Sequence, residues 1–416
     1  MNIATAARVW LTRSFKPFDF KNEYDNQILY ENTENLGLYI HIPFCRSICS
    51  FCPYCKTVYD EELARCYTDA LIKEIELVGE SVLGKKEVTS LYFGGGSPAL
   101  LANKLYEIIA TINKYFIIKE GIGLELHPDD VTVELLNNIK SAGVSKISIG
   151  IQSFRREQLS ALGRKEPDYR TLFYALKEVS FETVSFDLIF AIPGQTAESL
   201  KQDISYAFEN GANHIAIYPF IDFSFSDSNI PPMTKNEKRR LLDSITDYCT
   251  SRGYVRTSIW TFAKQSAKKY SSMTRDNFLG FGCSATTLLR DRFKINTFSI
   301  KDYIDRVDQK QLPTSLTLRF TLRQRMIYYL FWTAYTTRVD PKAFERFFGA
   351  SLYNKYGFEL FISRILGFVK KKDGIYHMSA KGAYYYHYFE QFYTLAYIEK
   401  MWGIMRNEAF PDRITF

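Results

Sequence analysis

Short apolar runs alternate with longer segments of helical periodicity along the first half of the chain. Apolar residues recur every three to four positions in five segments: 61–80, 101–117, 131–142, 168–180 and 197–210. Six runs have the length and β-branched content of buried strands: 37–43, 88–94, 121–127, 145–151, 182–190 and 214–220. Strands that alternate with helices in this way predict parallel βαβ units, in an open sheet or a partial barrel.

The ends of these predicted strands favour the barrel. Almost every strand ends in a polar or glycine-containing group: a cysteine-rich loop, residues 94–96, Glu125, Gln152, Asp187 and Tyr218. In β/α barrels the rim at the carboxyl ends of the strands carries the chemistry. The fold class predicted here is α/β, a partial (β/α)6 barrel with one central site.

The pattern changes after residue 234 and predicts four segments. We expect an N-terminal lead-in over 1–35, the barrel over 36–235, an extension that closes the site over 236–315, and a C-terminal domain over 316–416. The lead-in and the stretch 256–300 have no clear periodicity and are expected to be irregular. In the last segment three helical stretches precede a hairpin that turns at residues 372–374, an arrangement typical of a winged helix.

Composition and charge narrow the class of protein. The 416 residues are 46% apolar and 16% aromatic, which is typical of a globular chain. The chain contains no run of 18 apolar residues, and its first 20 residues lack a signal-peptide pattern, so we expect a cytoplasmic protein without a membrane span. The net charge of +7 is spread along the sequence, and we expect no nucleic-acid partner.

A cysteine-rich loop carries the clearest chemical signal. Four of the seven cysteines lie between residues 45 and 55, which favours a metal or redox site over a disulfide framework. Cys45, Cys49 and Cys52 have the spacing C-x3-C-x2-C. Three such thiolates can ligate three irons of a [4Fe–4S] cluster and leave the fourth iron open to S-adenosylmethionine (SAM). One-electron reduction of SAM there would yield a 5′-deoxyadenosyl radical.

The cysteines and histidines also allow other interpretations. A zinc site normally has a second Cys or His pair further along, and none follows this loop. The catalytic residue is unknown; Cys55 is the one candidate, and it could equally be a spare thiol or a residue behind the ligands. The block around Cys283 is expected to form a turn that closes the site. The spacing of the five histidines predicts no second metal site.

Seven blocks between about residues 36 and 300 resemble one known family. They are LYIHIPFC (38–45), YFGGGSP (92–98), ELHP (125–128), GIQSF (150–154), Arg164, FDLIFAIPGQT (186–196) and FLGFG (278–282). In these blocks the chain is similar to the radical SAM proteins related to oxygen-independent coproporphyrinogen III oxidase. That family includes haem chaperones and HemN-type C-methyltransferases.

The resemblance implies a set of SAM contacts. The residues that match are Tyr39, Gly95, Gly96, Ser97, Glu125, Gln152, Arg164, Asp187 and Ile189. Among them, the glycines would approach the SAM amino group, Arg164 its carboxylate, and Asp187 its ribose hydroxyls. Gln152 and Ile189 would lie near a second SAM or the substrate, so the expected cofactors are the [4Fe–4S] cluster and one or two SAM molecules. A flavodoxin or ferredoxin would supply electrons.

The substrate is left open by the sequence. Coproporphyrinogen oxidases place a fourth cysteine after one intervening residue, whereas Pro53 and Tyr54 separate Cys52 from Cys55 here. We therefore expect a radical SAM oxidoreductase or C-methyltransferase acting on a tetrapyrrole-like or aromatic substrate, by oxidative decarboxylation or by methyl or methylene transfer. A haem-binding chaperone on the same barrel is the main alternative, and a zinc- or DNA-binding protein is the third.

Overall fold

One sheet of fourteen strands runs through the computed structural model, which describes residues 3–25, 27–221, 223–224, 232–268 and 276–416. The strands of the chain are β1 (Asp19–Lys21), β2 (Leu36–Ile42), β3 (Phe44–Cys45), β4 (Thr57–Val58), β5 (Lys86–Val88), β6 (Leu91–Gly95), β7 (Phe116–Ile118), β8 (Ile122–Leu126), β9 (Val144–Gln152), β10 (Thr183–Phe190), β11 (His214–Pro219), β12 (Val255–Arg256), β13 (Thr261–Ala263), β14 (Asn277–Phe281), β15 (Thr286–Leu288), β16 (Arg292–Asn296), β17 (Thr314–Arg319), β18 (Arg338–Val339), β19 (Val369–Lys372), β20 (Ile375–Met378) and β21 (Arg413–Thr415). The α-helices are α1 (Ile3–Thr12), α2 (Glu61–Gly79), α3 (Leu105–Tyr115), α4 (Val133–Ser141), α5 (Arg156–Ala161), α6 (Tyr169–Glu178), α7 (Ala197–Glu209), α8 (Lys235–Ser251), α9 (Ile300–Asp308), α10 (Leu322–Tyr335), α11 (Pro341–Phe348), α12 (Leu352–Ile365), α13 (Ala380–Tyr393) and α14 (Glu399–Asn407).

The parallel core follows the predicted order of strands. Strands β2, β6, β8, β9, β10 and β11 are neighbours in sequence order, and each pairs in parallel with the next. Their bounds fall close to the six predicted runs, so the α/β class and the parallel half-barrel are confirmed. Buried strands in such a sheet are apolar on both faces because helices cover them.

The crossover helices form where the periodicity predicts them. In α2 the buried positions recur at helical spacing, as in Ala64, Leu71, Ile75 and Val78. Asp60 caps its first turn, accepting a hydrogen bond from the backbone N–H of Leu63. This helix therefore begins at a capping residue and turns one apolar stripe toward the sheet.

A seventh parallel strand comes from the stretch expected to be irregular. Strand β14 pairs in parallel with β2, and Gly280 lies opposite Tyr39. A β-carbon at Gly280 would lie 2.2 Å from the carbonyl oxygen of Thr286, so only glycine fits this close approach. Strand β14 leaves no periodic signal in the sequence, because it is short and its parallel partner, β2, lies in a distant part of the chain.

The two ends of the chain meet at the sheet edge. Strand β1 lies between β17 and β21 and pairs antiparallel with both. The first 35 residues thus contain a helix and a sheet strand, and the expectation of an irregular lead-in was wrong. Strand β17 spans the predicted division at 315/316, so the sheet continues across it.

The C-terminal region contains the expected helices and hairpin. Helices α10, α11 and α12 precede β19 and β20, and β18 completes an antiparallel sheet of three strands. Asp373 and Gly374 both have positive φ, at 50° and 82°, as the tight turn between β19 and β20 requires. The last helical stretch runs from α13 through a π-helical segment, Thr394–Ile398, into α14. No helix among the described residues is long and apolar enough to cross a membrane.

Candidate functional site

The cysteine loop, residues 43–56, follows the first parallel strand. Cys45 ends β3, and Cys49 and Cys52 follow on the loop, with all three side chains half-buried. The N–H of Cys52 donates to the carbonyl of Cys49 at 3.3 Å, and the Lys56 ammonium donates to the carbonyls of both Cys49 and Cys52. Backbone contacts and one lysine therefore shape the loop and leave the thiols available as ligands.

The three thiols lie close enough to affect one another's ionisation. Burial raises the pKa of Cys45 to about 12, and the neighbouring Cys52 and Cys49 raise it further. Burial also raises the pKa of Cys49, while the positive charge of Arg164 lowers it. Such thiols become thiolates when a metal supplies the compensating charge, so the group suits an iron–sulfur cluster.

A glycine turn after β6 lies directly against the cysteine loop. The N–H of Gly96 donates to the carbonyl of Ile42 at 2.7 Å, and the N–H of Ser97 to that of Phe44 at 2.7 Å. A β-carbon at Gly96 would lie 2.4 Å from the Phe44 oxygen and 3.0 Å from the Cys45 Sγ. Gly95 has φ +116°, where side chains are strained. The turn thus brings bare backbone next to Cys45, the first of the three predicted cluster ligands.

Glu125 lies beside the same turn. Its carboxylate accepts hydrogen bonds from the Gly95 N–H and the Tyr92 hydroxyl, both at 3.1 Å. Burial raises the pKa of Glu125. Tyr39 stacks on Tyr92 with ring centroids 6.4 Å apart, and its hydroxyl contacts the Nδ1 of His41 at 3.1 Å.

Asp187 supplies a second, half-buried carboxylate at this rim. The hydroxyl of Ser148 donates to it at 2.8 Å. Burial raises the pKa of Asp187 to about 7, and the nearby negative charge of Glu125 adds to the rise. Two half-buried carboxylates near each other, with no basic side chain bonded to either among the described residues, are costly unless a ligand supplies hydroxyl or ammonium groups.

The side chains of Arg164 and Gln152 both lie close to Gly150. The Arg164 guanidinium donates to the Gly150 carbonyl at 2.6 Å, and a β-carbon at Gly150 would lie 2.9 Å from the Gln152 side-chain nitrogen. The backbone of Gln152 has φ 69°, a left-handed conformation that is uncommon for residues other than glycine. The Ser50 hydroxyl donates to the Leu162 carbonyl at 3.2 Å, which ties the cysteine loop to the turn that carries Arg164.

Two residues expected at the SAM site have other contacts. The buried Ser97 hydroxyl donates to Asp130 at 2.6 Å, and Asp130 also accepts a 2.7 Å bond from Arg46. Ile189 packs in a small apolar cluster with Leu162, Ile192 and Phe220. Ser97 thus anchors the glycine turn, and Ile189 contributes to an apolar cluster.

Sequence reasoning missed several partners of the predicted residues. Tyr92 and Asp130 were not singled out, although each lies inside or next to a quoted block. Tyr92 precedes Gly94 by two positions, so strand alternation puts both on one face of β6. Asp130 is the second residue after the ELHP block and begins no new pattern. Only contact with Ser97 and Arg46 distinguishes it from a surface acid.

The C-terminal helix covers the outer edge of the cysteine loop. The Trp402 ring lies 5.8 Å from that of Tyr54, and the Arg406 guanidinium donates to the Pro53 carbonyl and, at 3.1 Å, to that of Tyr54. Cys55 turns inward instead: it is buried, and its thiol donates to the Phe298 carbonyl at 3.3 Å. Cys55 thus separates from the three proposed ligands.

Comparisons with known proteins agree with this geometry. Residues 39–207 match the model of the radical SAM superfamily. The heme chaperone HemW of Bacillus subtilis is 28% identical over 369 residues, covering 84% of this chain and 94% of that protein. The oxygen-independent coproporphyrinogen III oxidase of Synechocystis is 27% identical over 334 residues, covering 73% and 70%. The solved structure of coproporphyrinogen III oxidase (HemN) from Escherichia coli matches with a TM-score of 0.75 and 20% identity, covering 92% of this chain and 98% of that one.

The chain is therefore a radical SAM protein, with the parallel half-barrel and cysteine loop of that superfamily. Within the superfamily it belongs to the HemN-like family, which contains both the oxidases and the heme chaperones named above. Its cofactors are a [4Fe–4S] cluster and SAM. The thiols of the cysteine loop, the bare glycine backbone and the half-buried carboxylates fit these two groups.

Proposed function

We propose that this protein is an enzyme that reductively cleaves SAM and modifies a tetrapyrrole-like or aromatic substrate, by oxidative decarboxylation or by methyl or methylene transfer. One observation carries the proposal. The half-buried carboxylates of Glu125 and Asp187 lie at the same rim as Arg164, whose charge reaches the thiols of Cys45 and Cys49. That set offers acceptors for hydroxyl and ammonium groups and a donor for a carboxylate, the polar groups that SAM carries.

Each residue has a distinct part in this proposal. Cys45, Cys49 and Cys52 hold the cluster, and with SAM it supplies a one-electron reduction that releases a 5′-deoxyadenosyl radical. Arg164 orients the SAM carboxylate by paired charged hydrogen bonds.

The remaining contacts fix and enclose SAM. The backbone of Gly95 and Gly96 approaches its amino group, and Asp187 accepts from its ribose hydroxyls. Glu125 and the stacked Tyr39 border the same space and exclude water. Gln152 and Ile189 would face a second SAM or the substrate.

The substrate and the electron donor belong to the proposal as well. An aromatic edge formed by Tyr54 and Trp402 beside the cysteine loop suits a flat, conjugated substrate. Ile48 and Tyr54 are 45% and 52% exposed, so a small reducing protein such as flavodoxin or ferredoxin can approach the loop closely. The half-exposed thiols require a reducing compartment, which supports a cytoplasmic location.

A haem-binding chaperone is the second candidate. The observation in its favour is that the Bacillus subtilis heme chaperone aligns over 94% of its own length. Such a protein would use the same barrel and cluster to hold haem, with no need for turnover of a porphyrinogen.

Product analysis separates the two candidates. The reconstituted protein would be incubated without oxygen with dithionite, SAM and coproporphyrinogen III, and the 5′-deoxyadenosine and porphyrin products measured by mass spectrometry. The proposal expects 5′-deoxyadenosine in proportion to modified substrate. Micromolar haem binding with no substrate-dependent 5′-deoxyadenosine, from this or another tetrapyrrole or aromatic substrate, would favour the chaperone. Asp187→Asn is the matched control, because it should weaken SAM turnover and leave haem binding unchanged.

A further inference from the structure

A second group of metal-binding side chains lies in the interior, apart from the cysteine loop ligands. His41, Cys55 and Cys283 are each buried, and one ligand atom from each lies within 4.8 Å of the others. They come from three parts of the fold: strand β2, the end of the cysteine loop, and the closing turn, residues 282–285. The SAM chemistry proposed above uses none of these three side chains.

Hydrogen bonds fix the tautomer of the His41 imidazole. Its Nε2 lies 2.9 Å from the carbonyl oxygen of Cys55, and a carbonyl can only accept, so Nε2 carries the proton. Its Nδ1 therefore keeps a lone pair, which the Tyr39 hydroxyl contacts at 3.1 Å. Metal-binding histidines commonly donate their second ring N–H to a carbonyl, which fixes the ring for coordination.

The two thiols are already in contact. The pKa of Cys55 is lowered, above all because the Cys283 thiol donates a hydrogen bond to it. Burial raises the pKa of Cys283. The two sulfurs lie within 4.8 Å of each other, and a metal ion that binds both would displace the two thiol protons.

The frame around the closing turn is rigid. The N–H of Gly282 donates to Glu74 at 2.7 Å, and the N–H of Cys283 donates to the Tyr67 hydroxyl at 3.0 Å. A β-carbon at Gly282 would lie 2.4 Å from the same Tyr67 oxygen. The turn cannot shift easily, so Cys283 is held in place facing His41 and Cys55.

We propose that His41, Cys55 and Cys283 form a binding site for one Zn²⁺ ion, separate from the iron–sulfur cluster. Two thiolates and one imidazole are a ligand set that Zn²⁺ favours, with a fourth position left for water or a hydroxyl group. Zn²⁺ undergoes no redox change, so the site involves no electron transfer. The bound ion would link the closing turn to β2. It would also coordinate the imidazole of His41, which contacts the Tyr39 hydroxyl in this structure.

Cobalt substitution tests the site without interference from the cluster. The full-length chain with Cys45→Ser, Cys49→Ser and Cys52→Ser would be titrated with Co²⁺ in the absence of oxygen. We expect one equivalent to bind with thiolate-to-cobalt charge-transfer absorption, and Zn²⁺ to displace it. Adding Cys55→Ser or Cys283→Ser should weaken binding at least about tenfold, the loss expected when one ligand of a metal site is removed. Cys249→Ser is the matched control, since Cys249 is a buried thiol outside the group, and it should have no effect.

A second measurement covers the case in which these variants fold poorly. Zinc-edge X-ray absorption on the wild-type holoprotein, grown with zinc, should show one zinc per chain bound by two sulfurs and one imidazole nitrogen. Absence of zinc, cobalt binding without charge-transfer absorption, an equal loss in Cys249→Ser, or thiol counting that finds a Cys55–Cys283 disulfide would each overturn the proposal. Because the cobalt experiment uses a chain without cluster ligands, its outcome is independent of SAM cleavage.

Discussion

The cysteine loop and the closing turn both carry cysteines, but they hold them in opposite ways. In the cysteine loop three half-buried thiols have few side-chain partners, and backbone bonds and Lys56 shape the chain around them. In the closing turn Cys283 is fully buried, and Glu74 and Tyr67 bond the backbone on which it lies. An accessible group of thiols can bind a large cofactor after the chain has folded. A buried group of side chains is instead brought together by folding itself.

The difference shows what each region contributes to function. The open loop sets its thiols at a rim with Arg164, Glu125 and Asp187, where SAM can enter. The closing turn follows β14, which pairs with β2, and it lies against His41: a β-carbon at Gly282 would lie 2.7 Å from the His41 carbonyl oxygen. We expect changes in the loop to abolish chemistry and changes around the turn to alter stability or affinity.

We expect the largest difference in activity between a substitution in the cysteine loop ligands and a substitution of Cys55. Cys45→Ala removes a cluster ligand, so the visible absorbance of the cluster and SAM cleavage should both fall below detection. Cys55→Ala should keep the absorbance, because its thiol points to Phe298 and not toward the loop ligands. Iron and sulfide analysis with 5′-deoxyadenosine measurement checks both. Retained cleavage in Cys45→Ala, or loss of the cluster in Cys55→Ala, would reverse the assignment.

The next effect concerns Arg164. Arg164→Ala should raise the KM for SAM about 10- to 100-fold and leave the iron content unchanged. That factor is the loss expected when a charged hydrogen bond to a carboxylate is removed. Arg170→Ala serves as a control, because Arg170 is an exposed arginine in α6. Steady-state kinetics with iron analysis makes the measurement. Loss of iron in Arg164→Ala would mean that Arg164 supports the loop rather than SAM.

A pH dependence should follow from Asp187. Burial raises its pKa to about 7, so in the absence of SAM the side chain becomes neutral as the pH falls below that value. A neutral carboxyl accepts ribose hydroxyls less well, and the KM for SAM should rise several-fold from pH 8 to pH 6. Asp187→Asn should have a higher KM that no longer changes over this range. A wild-type KM that is flat across these pH values would count against the ribose contact.

The smallest effect concerns the support of the closing turn. Burial raises the pKa of Glu74 to about 7, although Tyr303, Gly282 and Asn296 donate hydrogen bonds to it. The folded state thus binds this proton more tightly than the unfolded chain, so the free energy of unfolding falls as pH rises from about 4.5 to about 7.

Glu74→Gln should remove that dependence. The difference in unfolding free energy between wild type and variant should change by roughly 1–3 kcal/mol between pH 5 and pH 8. Urea denaturation of both proteins at the two pH values makes the comparison, and Glu76→Gln, at a half-buried position in α2, is the control. Parallel curves for wild type and Glu74→Gln would show that Glu74 ionises normally.

Much of the barrel could be predicted because its signals are local. Each of the six parallel strands is rich in apolar residues, and the crossover helices α2, α4, α6 and α7 have their own periodicity and a capping side chain, as Thr196 and Ser199 cap α7. Strand β14 could not be predicted in this way, because its flanking segments are short and its pairing partner, β2, is far away in the sequence. The lead-in was misread for the same reason: β1 is three residues long and becomes a strand only between β17 and β21.

The sequence by itself indicated Cys45, Cys49 and Cys52 as the proposed cluster ligands, because they lie on one loop whose spacing is a local property. It also indicated the residues at the strand ends, since parallel strands bring their carboxyl ends to one rim. Only the tertiary structure decided which of these residues touch: that Tyr92 bonds Glu125, that Ser97 bonds Asp130, and that His41, Cys55 and Cys283 converge. The physical reason is that burial and hydrogen bonding between distant segments leave no periodic trace in the chain.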